Sequence, residues 1–349
     1  HVEGPIAAHV GGWQTTTVTT RTLPFRGRRG ARELRLYRPG VVRTRPLLLT
    51  GGVHALGIDE PRLVAFAQAL AQSGTPVVTP ALPDLRTYLV TPRLTDDIED
   101  AAVAVLDSPD IPAHADRRIG VLGISFSGGL SVVAAGRPTL RERVAFVLSV
   151  GGHASLPAVA RYLCTGIQPD GRRHPPHDYG GVILLTNVAP QLVPASQVKP
   201  LRDAVGRFLH ASHLDMFDKP RAAREFANAV AAERQLPEPA RALMHMVNTR
   251  NVPELGARLL PLADRFGHEP ALSPVRSPAP AAPVYVIHAA GDTVIPDSEA
   301  AALGRYLAAS GTPTRVHVTG MITHADVARA PSARELWVLV RLWAEMPWS

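Results

Sequence analysis

The chain has 349 residues, 46% hydrophobic and 19% charged, a globular composition long enough for one large α/β domain carrying an insertion. No apolar run approaches the ~18 to 20 residues of a membrane-spanning helix, so no integral span is expected. The formal charge of +7 comes from arginines scattered along the chain, with Lys199 and Lys219 the only lysines, and this dispersal argues against nucleic acid as a partner.

In chain order, residues 1 to 14 show no periodicity and read as a lead-in. The sequence predicts an antiparallel hairpin from Thr15 to Leu23 and Glu33 to Tyr37, with the arginine-rich stretch Arg26 to Arg32 as a solvated turn between them. A short apolar strand, Pro46 to Thr50, runs into Gly51-Gly52-Val53-His54 and then a helix from Pro61 to Ala71. The next strand falls at Thr75 to Leu82. The next helix spans Thr91 to Leu106, with Asp96, Asp97 and Glu99 near its positive end. Arg118 to Ile124 is a strand, Ser127 to Ala135 a helix and Val144 to Val150 a strand. Such alternation predicts a mostly parallel sheet flanked by helices.

From residue 155 to 282 helical patterns take over, apart from Val182 to Leu185, which reads as a strand or a buried loop. One helix is marked by Leu201, Val205, Phe208 and Leu209, and another opens at Pro220 and carries Phe226 and Val230. Two more are marked by Leu243, Met246 and Val247, and by Leu255, Leu259, Leu262 and Phe266. This stretch is expected to be a mostly helical cap insertion, 155–282, in a core made of 1–154 and 283–349. The alternation resumes with a strand at Val284 to Ala289, a helix at Asp297 to Ala309 and a strand at Thr314 to Val318. A closing helix follows, with a capping box at Ser332 and Glu335, and packs Leu336, Leu339, Val340 and Trp343 on the sheet.

Three residues at strand ends carry the chemistry. Ser125 stands where an apolar strand turns into a helix, with the small Gly123 and Ser127 two positions to either side, as a nucleophile elbow needs. A frame shifted by two would make Ser127 the nucleophile; Ser125 is preferred because the strand delivers it to the turn. A serine needs a base, and a histidine base needs a carboxylate. Asp292 follows the strand Val284 to Ala289, and His324 follows the next strand, so a parallel sheet brings both to the edge that holds Ser125. Asp297, preceded by Pro296, reads instead as a helix N-cap. The backbone N–H of Phe126 and that of Val53, or of Gly52 one position earlier, would face the oxyanion.

The set Gly-Ile-Ser-Phe-Ser-Gly-Gly, Gly-Asp-Thr-Val-Ile-Pro, Thr-His-Ala-Asp and the Gly-Gly-Val-His loop resembles the α/β-hydrolases, serine esterase and lipase-like members with a helical cap. That resemblance covers roughly residues 15 to 155 and 283 to 345. It implies an α/β-hydrolase fold with an eight-stranded sheet, a Ser125, Asp292 and His324 triad, a cap and no cofactor; Ser127 departs from the usual glycine of the elbow. The expected activity is cleavage of a carboxylic ester, or an acyl substrate, through an acyl-enzyme. A thioesterase, amidase or peptidase using the same triad, and a non-catalytic binding protein of the same fold, are the alternatives.

No metal is expected: His174, His177 and Asp178, or His210, His213 and Asp215, lack a full ligand set. Cys164 is the only cysteine, which excludes an intramolecular disulfide. With His1 leading and no charged-plus-apolar leader before it, any leader is expected to have been removed or not included; compartment and oligomeric state stay open.

Overall fold

The computed structural model describes residues 15–322 and 333–348. Among the described residues eight strands make one sheet in the order β1-β2-β4-β3-β5-β6-β7-β8. They are β1 (Val18–Gly27), β2 (Gly30–Pro39), β3 (Leu47–Thr50), β4 (Val77–Pro80), β5 (Ile119–Ile124), β6 (Val144–Val150), β7 (Val284–Ala289) and β8 (Thr314–Thr319). The hairpin β1-β2 and the pair β2-β4 are antiparallel, and every later pairing is parallel. Parallel strands need crossovers, and the helices that supply them cover both faces of the sheet, which is why β3 and β4 are buried along their whole length.

Alternate residues of the central strands feed two apolar clusters. Leu47, Leu49, Leu122, Phe146 and Leu148 pack with helix Pro61–Gln72 and with Leu342 and Met346 of the last segment. Leu48, Val78, Val121, Val147 and Val286 pack with helices Pro92–Asp107 and Phe126–Gly136. That second cluster continues without a break into the helices between β6 and β7. These are Leu156–Thr165, Asp178–Leu192, Ala195–Leu214, Lys219–Glu233, Ala240–Asn248 and Val252–Ala263.

Several expectations change in detail. Val182 to Leu185 lies in helix Asp178–Leu192, not in a strand; the helix is buried from Gly180 to Thr186, so no polar face marks it in the sequence. The arginine-rich turn is not left to solvent alone, although Arg26 and Arg28 stay exposed. Arg28 pairs with Glu99 and Asp100, and Arg29 with Asp96 and Asp97, at 2.7 to 2.8 Å. The acidic residues of helix Pro92–Asp107 therefore meet arginines from the hairpin, joined by Arg137 from the neighbouring helix. In helix Ala333–Glu345, Leu342 is buried and Trp343 packs beside it, whereas Val340 is exposed with Trp337 one turn before it. Leu342, Trp343 and Met346 follow helical spacing, and that stripe, one position round from the expected one, meets the sheet. Ser332 lies outside the described residues.

Candidate active site

Ser125 occupies the turn between β5 and helix Phe126–Gly136 with φ 60° and ψ −134°, a positive φ that a non-glycine residue adopts only under strain. The turn is held on both sides: the Ser125 N–H donates to the Val150 carbonyl and its own carbonyl accepts from the Gly128 N–H, both at 2.8 Å. Gly123 must be small, since a Cβ there would lie 2.2 Å from the Ser127 carbonyl oxygen. Gly52 is close-packed against the same residue, as a Cβ on it would stand 3.2 Å from Ser125 Cβ and 3.7 Å from Ser125 Oγ.

Ser127 is committed elsewhere. Fully buried in the first turn of the helix, it donates its hydroxyl to the Gly51 carbonyl at 2.6 Å, tying the helix to the glycine loop. The two serines of the motif therefore have different surroundings: Ser125 sits in the strained turn, and Ser127 fastens the loop that faces it.

The loop 51–54 leaves donors uncommitted. Among the described residues the N–H groups of Gly52, Val53 and Phe126 take no hydrogen bond, Phe126 because the first N–H of a helix has no intrahelical acceptor. The next peptide is bonded at both ends, with the His54 N–H on the Leu85 carbonyl at 3.1 Å and the Val53 carbonyl on the Tyr179 hydroxyl at 3.3 Å.

Asp292 lies just beyond β7, wholly buried, with Oδ1 accepting from the N–H groups of Val294 and Ile295 at 2.8 and 3.0 Å. Its Oδ2 is 3.6 Å from His288 Nε2, which bonds to the Ile295 carbonyl at 2.8 Å. The bonds from Ser125 N–H to Val150 and from Gly151 N–H to Ile287 string the ends of β5, β6 and β7 along one edge. The end of β8 joins them through the Ala290 N–H and the Thr319 carbonyl. His324 lies outside the described residues.

Asp297 stands at the cap position of helix Ser298–Ala309, yet its side chain makes no capping bond. It accepts instead from the Gly291 N–H at 3.0 Å and from Arg172 at 2.7 Å. The helix can spare the cap because Pro296 and Asp297 carbonyls already receive the N–H groups of Glu299 and Ala300.

The helices between β6 and β7 bring further groups to this edge. His213, near the end of helix Ala195–Leu214, meets His54 edge to face with ring centroids 4.2 Å apart. Burial and the neighbouring His213 imidazole pull the His54 pKa down to about 4. Tyr162 is fully buried, and burial together with the charges of Asp292 and Asp297 pushes its hydroxyl up to about 12. Sequence reading missed Tyr162 and Tyr179 and took His213 only as a candidate metal ligand, because each reaches the edge from a distant part of the chain. Only the helical spacing of Leu201, Val205 and Phe208, extended to His213, could have pointed to one of them. Among the described residues no group of three or more His, Cys, Asp or Glu side chains converges as a metal site would require, and no helix is long and apolar enough to cross a membrane.

Neither a protein-family model nor a curated protein matches the chain. Solved structures do. The acylaminoacyl peptidase of Pyrococcus horikoshii aligns over 98% of this chain and 44% of its own, at 13% identity and a TM-score of 0.53. The present chain thus spans less than half of that peptidase. Carboxyl esterase 2 from Tuber melanosporum aligns over 96% of this chain and 90% of its own, at 14% identity and a TM-score of 0.53. Brefeldin A esterase, a bacterial homologue of human hormone sensitive lipase, aligns over 93% and 72%, at 16% identity and a TM-score of 0.51. The chain has the α/β-hydrolase fold.

Proposed function

We propose that the protein is a serine hydrolase that cleaves a carboxylic ester through an acyl-enzyme, with Ser125 as nucleophile, His324 as base and Asp292 as the carboxylate that orients it. The observation that carries this reading is the strained turn at Ser125, with its Cβ against Gly52 and the free N–H groups of Val53 and Phe126 nearby in the chain. Strain at a single non-glycine residue costs about 1–3 kcal/mol, and a fold keeps it where the residue must project from a sharp turn. Of the solved structures of the same fold, two are named as esterases and one as an acylaminoacyl peptidase, which suits acyl transfer.

In the proposed reaction Ser125 Oγ attacks the acyl carbonyl as His324 takes the hydroxyl proton, and Asp292 stabilises the imidazolium. The N–H groups of Val53 and Phe126 donate to the oxyanion, each worth roughly 3 kcal/mol in the transition state where such donors have been measured. The imidazolium returns the proton to the leaving alcohol. Water, deprotonated by the same histidine, then releases the acid and restores Ser125. The helices between β6 and β7 act as a cap over the edge, and the substrate is a small uncharged ester or acyl compound, suited to the apolar side chains they carry.

A fluorophosphonate probe tests the assignment. The wild type and Ser127→Ala should be labelled and Ser125→Ala should not; labelling that survives in Ser125→Ala and vanishes in Ser127→Ala would move the nucleophile. Asp292→Asn should lower ester turnover by several orders of magnitude, and full turnover in that variant would remove Asp292 from the triad.

A further inference from the structure

The Val53–His54 peptide is gripped from two directions. Its N–H donates to the Leu85 carbonyl in the short helix Pro83–Arg86, a part of the core. Its carbonyl accepts from the Tyr179 hydroxyl, in the first turn of helix Asp178–Leu192, a part of the insertion. The peptide just before it, Gly52–Val53, carries the N–H assigned above to the oxyanion and is bonded to nothing among the described residues. Two glycines in succession give this loop a permissive backbone, so local sequence alone does not aim that N–H. Clamping the following peptide removes the rotation about Val53 that would turn it aside.

We propose that Tyr179 is a positioning residue for the oxyanion hole, supplied by the insertion to a loop of the core. The inference rests on the reading of Ser125 and Val53 given above.

Tyr179 is itself held firmly enough for the task. The N–H of His177, the residue that caps the helix two positions earlier, donates to the Thr293 carbonyl at 2.9 Å, on the loop that carries Asp292. The Tyr179 N–H bonds to Asp178 Oδ1 at 2.8 Å, and Asp178 is anchored in turn by Arg250 at 3.0 Å. Two turns further along, Asn187 donates to the Tyr88 carbonyl at 3.0 Å and accepts from the Val90 N–H at 2.8 Å. The Tyr88 ring stands edge to face against Tyr179 with centroids 6.3 Å apart. The helix is thus pinned at its start to the loop after β7 and at its middle to the segment after β4, while its tyrosine reaches the loop after β3. Burial holds the Tyr179 pKa well above the ordinary tyrosine range, so the hydroxyl remains a donor wherever the protein is folded. One consequence is that the oxyanion hole is complete only while the insertion is seated on the core.

Tyr179→Phe tests this, because it keeps the ring against Tyr88 and removes only the hydroxyl. The phosphoryl oxygen of a fluorophosphonate uses the oxyanion hole as an ester does, so the labelling rate at Ser125 reads the hole without knowledge of the substrate. The variant should label about five- to tenfold more slowly at saturating probe, the equivalent of one net hydrogen bond, with the half-saturating probe concentration unchanged and the melting temperature lowered by no more than the few degrees that one lost hydrogen bond costs. Labelling at the wild-type rate, or a slowing that comes only from a higher half-saturating concentration, overturns the positioning role. In either of those cases a label on Ser125 leaves the hydrolase reading intact. A wild type that takes no label at Ser125 overturns both.

Discussion

His153 and Glu299 should give the junction between β6 and the insertion an opposed pair of acid responses. His153 is fully buried, its Nε2 donates to the Leu272 carbonyl at 2.8 Å, and its Nδ1 has no hydrogen-bond partner. Protonation would place a second N–H on Nδ1 with no acceptor, and burial accordingly lowers the pKa from 6.5 to about 4. Glu299 accepts the N–H groups of the next two residues, Ala154 and Ser155, both at 2.8 Å, and burial raises its pKa from 4.5 to about 7 in spite of them. Between about pH 6.5 and 4 the unfolded chain binds a proton at His153 that the folded protein refuses, so stability falls as the pH falls. Between about pH 7 and 4.5 the folded protein holds a proton at Glu299 that the unfolded chain has released, so stability rises as the pH falls. Each shift spans about 2.5 units, or about 3 kcal/mol, and the two nearly cancel in the wild type. Urea unfolding at pH 7 and pH 4 of the wild type, His153→Gln and Glu299→Gln separates them. Relative to the wild type, Glu299→Gln should lose about 3 kcal/mol on going to pH 4 and His153→Gln should gain about as much. Carboxylates elsewhere act on all three proteins alike and drop out of the comparison. Three parallel pH profiles would refute the reasoning.

Gly52→Ala should place a methyl group against Ser125 and lower the fluorophosphonate labelling rate at least about tenfold, since a Cβ there stands 3.2 Å from Ser125 Cβ. Gly51→Ala is its control: the new methyl meets the flexible end of Leu63, and labelling should stay within about threefold of wild type. Arg29→Ala strips Asp96 and the buried Asp97 of a partner and should cost about 2 kcal/mol in urea unfolding, whereas Lys199→Ala, which breaks an exposed pair with Asp203, should leave the midpoint where it was.

The parts of the fold that were legible from sequence are those whose determinants are local. A run such as Ile119–Ile124, buried except at its last residue, is continuous in the sequence because both faces of a central parallel strand meet helices. The elbow was legible because the small residues it needs lie two positions from Ser125. Helix Asp178–Leu192 was not, since a helix enclosed on all sides has no polar stripe to set its period. The arginines from Arg28 to Arg32 looked solvated because their carboxylate partners lie some seventy residues away, as the Arg28–Glu99 separation of 71 shows. The same limit hid Tyr179, which meets Val53 across 126 positions.

How the insertion and the core are joined bears on how the site can work. They are not two bodies touching at a polar seam. Phe126 and Leu130 from the elbow helix share one apolar cluster with Leu163, Val182, Leu185, Leu201 and Phe208 of the insertion. Lifting the whole insertion would break that shared cluster and uncover apolar side chains, each worth at most about 1.5–3 kcal/mol when fully buried, so a large hinged opening is costly. Ser125 is 7% exposed in this closed arrangement. On the proposed reading, substrate would enter through smaller movements at the rim of the edge, where the contacts are single polar or aromatic pairs such as Arg172 with Asp297 and His54 with His213. The bond from Tyr179 to Val53 lies on the same boundary but next to the apolar cluster, against which both Tyr88 and Tyr179 pack. On that reading, a rim that yields and a tyrosine that does not would let substrate enter while the oxyanion donors keep their aim, which is what a preorganised site requires.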